Sequence, residues 1–438
     1  MGSMISAAKS GRYTRGEEAI IKTMAWWYKK KGYHKIAKFN NKGALGAPYV
    51  LYKLKNMWPI EVRREKLHKA RPIVPGNKHP MAALLGLVGR AWSFALKTYA
   101  SENQTYIVHT THEVPRRLEE MVETVRASAS ATDVVDIRVM DIEGCYPNMP
   151  KEHICEAMRN ILETVFNGKK WGRTGPRSFG NVETDTIRVP RGGRGKQCEW
   201  GMSAQKRYAN VTKAVMVDCL DFVLDNTFVK LYAGNGERIL QQVRGIPMGD
   251  PISPAMAVGT CAWMEARWKE KIDKKERGNV AIARYMDDCL IAENRKTSEE
   301  MNKTVRDYVE NCYLPPLKLE SAGSGIFLET QFTCSPEGEL TYRLKNVNAG
   351  LKEPQTWRYQ RYDSYVPQIL KFGVIMGTLH KVERMASNGQ QLGISAREKL
   401  LEFIQLGYPR KILRGACFRM YGMTNHLVWT DIARALLG

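Results

Sequence analysis

The chain has 438 residues, enough for several lobes around a sizeable core. Lys and Arg number 67 against 45 Asp and Glu, and the net charge of +22 favours polyanionic partners, nucleic acid first among them, although a basic ribosome-associated protein would share that charge. Nine scattered cysteines offer no CxxC and no Cys/His spacing suited to zinc, and no apolar run reaches the roughly 18 residues of a membrane span, so a reducing, intracellular setting (cytoplasmic or nuclear, not secreted) is expected, with no membrane contact.

Met1-Gly2-Ser3 before Met4 reads as a cloning scar, and no signal peptide is visible. Residues 15–32 read as a helix with Trp26, Trp27 and a basic end, Lys29-Lys30-Lys31. Residues 48–55 read as a strand, and the basic stretch 63–69 followed by Arg71-Pro72-Ile73 fits either a two-stranded basic hairpin or a solvated charged loop. Helices are expected over 80–100 and 113–128, and an alternating strand over 135–141. The Gly/Arg-rich stretch 168–200 lacks apolar periodicity and is expected to be a mobile loop. A helix is expected over 203–224, then a hairpin with strands at 228–232 and 238–242. Two glycines and three prolines shape a turn at 245–254, ahead of an apolar helix to about 271. A helix over 298–313 and a small strand pair around Phe327-Leu328-Glu329 follow. The last hundred residues look helical, with Ser364 capping a helix near Pro367, a capping box at Ser395-Ala396-Arg397-Glu398, Gly407 ending that helix and Pro409 opening another. There is no internal repeat.

The chemistry concentrates in Ala283-Arg284-Tyr285-Met286-Asp287-Asp288-Cys289-Leu290. Two adjacent carboxylates stand between apolar runs, where a hairpin would turn. Neighbouring strand residues point to opposite faces, so at most one acid is buried favourably, and two together are costly unless cations neutralise them. Hard divalent ions take such oxygen ligands. An Asp-Asp pair alone also fits a loop acid or a helix cap. A third carboxylate, Asp141, ends the strand Val135-Asp136-Ile137-Arg138-Val139-Met140-Asp141. One acid from that strand and two from a hairpin can hold two metal ions about 3.5–4 Å apart, the arrangement used for in-line nucleotidyl transfer. Cys145 and Cys289 beside these acids read as small packing residues.

The order of these motifs resembles the reverse transcriptases: the strand with Asp141, then Pro247-Met248-Gly249 and Ser253-Pro254, then Tyr285-Met286-Asp287-Asp288, then Phe327-Leu328. The resemblance covers about residues 48–435. Within the family the chain is similar to Penelope-like reverse transcriptases, through Lys53 and Arg71-Pro72-Ile73, the 245–254 segment, Pro367, Lys371 and Arg384, and Gly407-Tyr408-Pro409. Met248 stands where many members have Gln, Asp250 replaces Ser, and sixteen residues separate Lys55 from Pro72, more than usual. No RNase H, GIY-YIG endonuclease or integrase region is visible.

The resemblance implies an α+β right-hand polymerase. Residues 1–130 would form an N-terminal extension and fingers; 131–340 the palm, an antiparallel sheet plus helices with a Gly/Arg-rich insertion about 168–200; and 341–438 a helical thumb. It implies an RNA-directed DNA polymerase using two Mg²⁺ ions, with Mn²⁺ as a substitute, an RNA template, a DNA or RNA primer and dNTPs; protein partners stay unknown. Asp141 and Asp287 would bridge the metals with the Ile142 carbonyl, and Asp288 would be the third acid. Lys53, Lys69 and Arg71 would neutralise the triphosphate, and Lys318 would be either an ordinary surface lysine or the acid that protonates pyrophosphate. Met248 and Gly249 would lie against the template–nucleotide pair, Tyr146 either under the sugar or in the core, Tyr285 near the primer end, and Lys371 and Arg384 either on the duplex backbone or on solvated helix faces. The main alternative is an RNA-dependent RNA polymerase on the same palm. Bulky Tyr146, five residues after Asp141, and Met286 before the acid pair both favour DNA synthesis. A catalytically weak nucleic-acid-binding relative is the other alternative.

Overall fold

Val135, Ile137 and Val139 alternate with polar residues, and a period of two puts all three on one face of a strand. In the computed structural model that strand, Val134–Ile142, lies inside a four-stranded antiparallel sheet in the order Val280–Tyr285, Asp288–Arg295, Val134–Ile142, Leu319–Gly323. The structure describes residues 16–52, 70–103, 105–128, 134–168, 170–171, 182–192, 197–233, 236–273, 276–295, 302–323, 325–346 and 359–436. They form two units. One comprises Met1–Tyr106, Glu143–Lys269 and Cys312–Lys318, and the other Ile107–Ile142, Glu270–Asn311 and Leu319–Gly438.

The four-stranded sheet belongs to the second unit. Its apolar face packs on the helix Val114–Ser128 through Leu118, Val122 and Val125, with Phe327, Phe332 and Tyr342 closing the cluster. The three-stranded sheet Ile326–Phe327, Thr330–Cys334, Leu340–Leu344 supplies those rings, so the expected strand pair is larger than the sequence suggested. The opposite face of the main sheet carries charge. Arg138 bonds Glu293 at 2.6 Å and Arg295 bonds Asp136 at 2.7 Å, while fully buried Glu293 also accepts the Asn302 N–H at 2.8 Å. Removing one partner from such a network would strand a charge, which is costly.

Four further helices of this unit, Gln368–Arg384, Gly389–Gln405, Arg410–Thr424 and Val428–Ala435, pack around Ile375, Leu379, Leu400, Phe403 and Trp429. The expected starts of these helices shift. The first helix begins after Pro367, and Ser364 makes no cap. The second begins at Gly389, capped by Asn388, whose side chain accepts the Gln391 N–H at 3.0 Å. Ser395 and Glu398 therefore sit inside that helix. Ser395 Oγ donates to Leu344 O at 3.1 Å and Glu398 accepts from Arg343 at 2.8 Å, so the residues that looked like a capping box are tertiary contacts. Gly407, at φ +82°, ends the helix as expected, and Pro409 is the cap residue of the next one rather than its first turn.

In the first unit the helices Ala82–Asn103, Lys151–Phe166 and Lys213–Asp225 pack on one another, and Ser253–Lys271 approaches so closely that a Cβ on Gly259 would stand 2.7 Å from Met158 Sδ. Tyr49–Tyr52 pairs antiparallel with Ala70–Ile73, as a hairpin reading required; residues 53–69 between them lie outside the described residues. Phe228–Ala233 pairs with Gly236–Gln241. The expected loop over 168–200 is partly sheet: Thr186–Pro190 lies between Glu199–Trp200 and Tyr208–Thr212 with Ile187 and Val189 fully buried. Its glycines and arginines obscured a short Thr-Ile-Arg-Val alternation. The helix expected from 203 begins only at Lys213. Tyr208–Thr212 is a strand, and Thr212 caps the helix by accepting the Val215 N–H at 3.2 Å. The helix expected over 298–313 covers Lys303–Asn311, and residues 296–301 lie outside the description. Among the described residues no helix is long and apolar enough to cross a membrane.

Helix Ala82–Asn103 touches the turn before Ser253 at Gly89, where an added Cβ would lie 2.5 Å from the Pro251 carbonyl oxygen. A backbone atom cannot swing away as a side chain can. Gly89→Ala is therefore expected to destabilise the protein by about 1–3 kcal/mol, read as a lowered urea midpoint.

Candidate active site

The hairpin turn falls at Met286-Asp287, between Val280–Tyr285 and Asp288–Arg295. Met286 adopts φ +57°, an uncommon conformation for a side-chain-bearing residue. Fully buried Arg284 donates to Met286 O at 2.8 Å and holds that turn. The Ile142 N–H donates to Asp287 O at 2.9 Å, tying the turn to the end of the strand bearing Asp141. Register then places Asp288 opposite Asp141, and Asp141 opposite Glu320 on Leu319–Gly323. Directly opposed residues share a face, so three carboxylates line up across three strands.

Asp141, Asp287 and Asp288 are each half-buried, while Ile142 has its side chain buried. Their hard oxygen donors suit Mg²⁺. The side chains do not close on a point: among the described residues no three His, Cys, Asp or Glu groups stand together as a metal cage. Glu320 escaped the sequence reading because it lies in an undistinguished Lys-Leu-Glu run, and only its alternation with Leu319 hinted at a strand. Arg284 has no evident role in the sequence motif, although a charge inside an apolar strand is itself a signal. Tyr285 is half-buried and pairs in register with Asp288. Cys145 and Cys289 are buried, as expected of packing residues.

The first unit gathers several of the expected nucleotide contacts around the 245–254 loop. The Val74 N–H donates to Met248 O at 2.8 Å, and the Ile246 N–H to Tyr146 O at 2.7 Å. The loop thus runs between two other backbones. Gly249, at φ +121°, is where only glycine fits, since an added Cβ would meet Val74 O at 2.0 Å. Gly249 is exposed and Met248 and Tyr146 are half-buried. Arg71 lies in Ala70–Ile73, opposite Leu51, while its side chain, Lys53 and Lys69 fall outside the description. Lys318 is exposed, and its carbonyl accepts the Glu143 N–H at 2.9 Å.

Asp250, the departure from Ser, has a local use. Its carboxylate accepts the Ile252 N–H at 2.9 Å at the entry to Ser253–Lys271, where a helix N-terminus favours an acceptor. Burial pushes its pKa up to about 6, against a smaller opposing pull from that N–H. His79, on the same small cavity, is pushed down to about 4 by burial.

Lys371 is a correction. It is buried, and its ammonium donates to Tyr362 O and Ser364 O at 2.6 Å each. That charge is spent inside the helical region and is not presented to a duplex. Arg384 is exposed in the last turn of its helix.

Residues 203–319 match the family model described as "Reverse transcriptase (RNA-dependent DNA polymerase)". The matched stretch contains the 245–254 loop and Tyr285-Met286-Asp287-Asp288. No curated protein matches the chain. Among solved structures, telomerase from Candida albicans in complex with a fragment of telomeric RNA is similar at 10% identity and TM-score 0.49, over 95% of this chain and 70% of that one. Apo telomerase from Candida tropicalis gives 10% and 0.48, over 96% and 72%. The family match supports an RNA-directed DNA polymerase, a nucleotidyltransferase that binds nucleic acid.

Two outcomes follow from this geometry. Asp250 binds its proton more tightly in the fold than in the unfolded chain, so its stabilising contribution is complete below about pH 4 and is lost as pH rises through about 6. Asp250→Asn keeps the acceptor and removes the charge; it should exceed the wild type in stability at pH 8, by on the order of 2 kcal/mol, and lose that advantage near pH 4, by urea denaturation at both pH values. Lys371→Ala leaves two carbonyls without their charged donor. It should cost about 2–3 kcal/mol of stability while leaving the salt dependence of nucleic-acid binding unchanged.

Proposed function

We propose that this chain is a right-hand RNA-directed DNA polymerase that adds dNTPs to a primer 3′ end on an RNA template by two-metal nucleotidyl transfer. The observation that carries the reading is the reverse transcriptase match over 203–319, which takes in the acid pair whose Asp288 sits in register with Asp141. On this reading residues 1–130 serve as extension and fingers, 131–340 as palm and 341–438 as thumb. Similarity to Penelope-like members rests on Lys53, Arg71-Pro72-Ile73, the 245–254 segment and Gly407-Tyr408-Pro409.

Asp141, Asp287 and the Ile142 carbonyl would hold the ions, with Asp288 as third acid. Two Mg²⁺ ions, when bound, would supply Lewis-acid stabilisation to the attacking and leaving oxygens. The chain's own residues do the rest. Lys53, Lys69 and Arg71 pair the triphosphate charge. Met248 and the bare backbone of Gly249 support the nascent pair, and the Tyr146 ring leaves no room for a 2′-hydroxyl. Tyr285 steadies the primer end, and Arg384 meets a duplex phosphate.

Primer extension on RNA and on DNA templates, with dNTPs and with rNTPs, tests this directly. Extension on RNA with strong dNTP preference is expected. Asp141→Asn should lower it by at least a thousandfold with unchanged circular dichroism, a loss of about 4 kcal/mol of transition-state stabilisation. A folded Asp141→Asn protein with near-normal extension, or a wild type equally active with rNTPs, would overturn the proposal.

A further inference from the structure

Away from the acids, the first unit holds a cavity of about 620 Å³ between the helices Glu17–Lys30 and Lys213–Asp225. That volume lies within the range of about 300–1,000 Å³ of small-molecule sites. Its wall is aromatic. Trp27 stacks on Phe222 at 4.5 Å, and Trp26 lines the mouth, 61% exposed, with the Lys30 ammonium over one face of its ring at 4.7 Å. An exposed Trp on the rim of a cavity offers a flat partner a ring to stack on.

The polar groups divide into those already engaged and those that can receive a donor. Asp218 is held by Lys31 at 2.8 Å and by the Tyr33 hydroxyl at 2.7 Å, and both oxygens of Asp221 accept from one Arg159 nitrogen at 2.7 Å. Asp225 is held more loosely: its side chain is 73% exposed and its ion pair with Lys151 is long, at 3.7 Å. Beside it, the Asn226 amide nitrogen donates to Phe222 O at 3.0 Å and that of Gln241 to Asp225 O at 2.5 Å. Those bonds leave both side-chain oxygens as acceptors. The open polar edge therefore accepts hydrogen bonds, and a ligand there must be flat and donor-edged.

We propose that this cavity binds a guanine base of single-stranded RNA. Guanine offers two adjacent donors, N1–H and N2–H₂, on one edge, which match the two oxygens of a carboxylate such as Asp225, while its faces extend the aromatic wall. Exposed Lys29 and Lys30 on the first helix suit the flanking phosphates, while Lys22 is paired with Glu18 at 2.7 Å. An arginine side chain of a protein partner would also donate to Asp225, but Lys30 over the Trp26 ring and exposed Lys29 beside it on the same helix repel a basic peptide and attract a polynucleotide. The choice of RNA as the carrier rests on the polymerase reading above; the aromatic, acceptor-lined cavity does not.

The test is fluorescence anisotropy of the full chain with labelled octaribonucleotides in metal-free buffer. One carries seven uridines and a central guanosine, one has inosine in place of the guanosine, and one is all uridine. Guanosine should be preferred about tenfold over inosine, which lacks the N2 amino group. Asp225→Asn should erase that preference, and Trp26→Ala should lower guanosine binding about tenfold. Equal affinity of the wild type for all three oligonucleotides overturns the proposal. So does a preference retained in both variants, or an arginine-rich decapeptide whose binding is lost in Asp225→Asn while RNA binding is unmoved. Primer extension on the same preparations separates the two readings. Extension without guanosine preference sinks the cavity alone, and guanosine preference without extension sinks the polymerase alone.

Discussion

Asp141 and Asp288 repel each other across two hydrogen-bonded strands, and the apolar residues behind them hold them there. Leu290 opposes Val139 and Ala292 opposes Ile137 on the face that packs against Val114–Ser128. Such cross-strand pairs are each worth about 0.2–1 kcal/mol, and opposed like charges lose a comparable amount, so several pairs are needed to dominate. On the other face Arg138–Glu293 and Arg295–Asp136 fix the same alignment by charge. A slip of one residue would turn Asp141 to the charged face and the valines with it. Both faces favour one register, and that register places the acids.

The acids were legible because their setting is local: a short apolar strand, an acid, a turn. The hairpin could be read for the same reason. What the sequence hid was where local and tertiary signals compete. Tyr208–Thr212 and Lys213–Asp225 form one apolar stretch, and only the β-branched Val211-Thr212 marks the change of period. Ser395 and Glu398 satisfy the spacing of a capping box, yet their partners are Leu344 and Arg343 on a strand some fifty residues earlier. Lys371 reads as a surface charge until the carbonyls of Tyr362 and Ser364 come into view. Glu320 acquires meaning only through its pairing with Asp141.

The 245–254 loop shows a different constraint, that of space. Its backbone passes Val74 on one side and Tyr146 on the other, at hydrogen-bonding distance from each. A glycine is required where the approach is closest, and the Asp250 carboxylate then receives the Ile252 N–H ahead of Ser253–Lys271. The unusual acid in this loop is thus a helix-entry group set into a tight passage, at the cost of a desolvated charge.

Each unit is assembled from three separate stretches of chain, and the first is not complete until residues 312–318 have been made. During translation at roughly 5–20 residues per second, Ala70–Ile73 waits on the order of ten to fifty seconds for that last stretch. Neither unit can therefore close as the nascent chain emerges, and a cut at any single point between residues 107 and 318 divides both of them between fragments. The interleaving makes the two units one problem for the ribosome and for any chaperone that receives the chain.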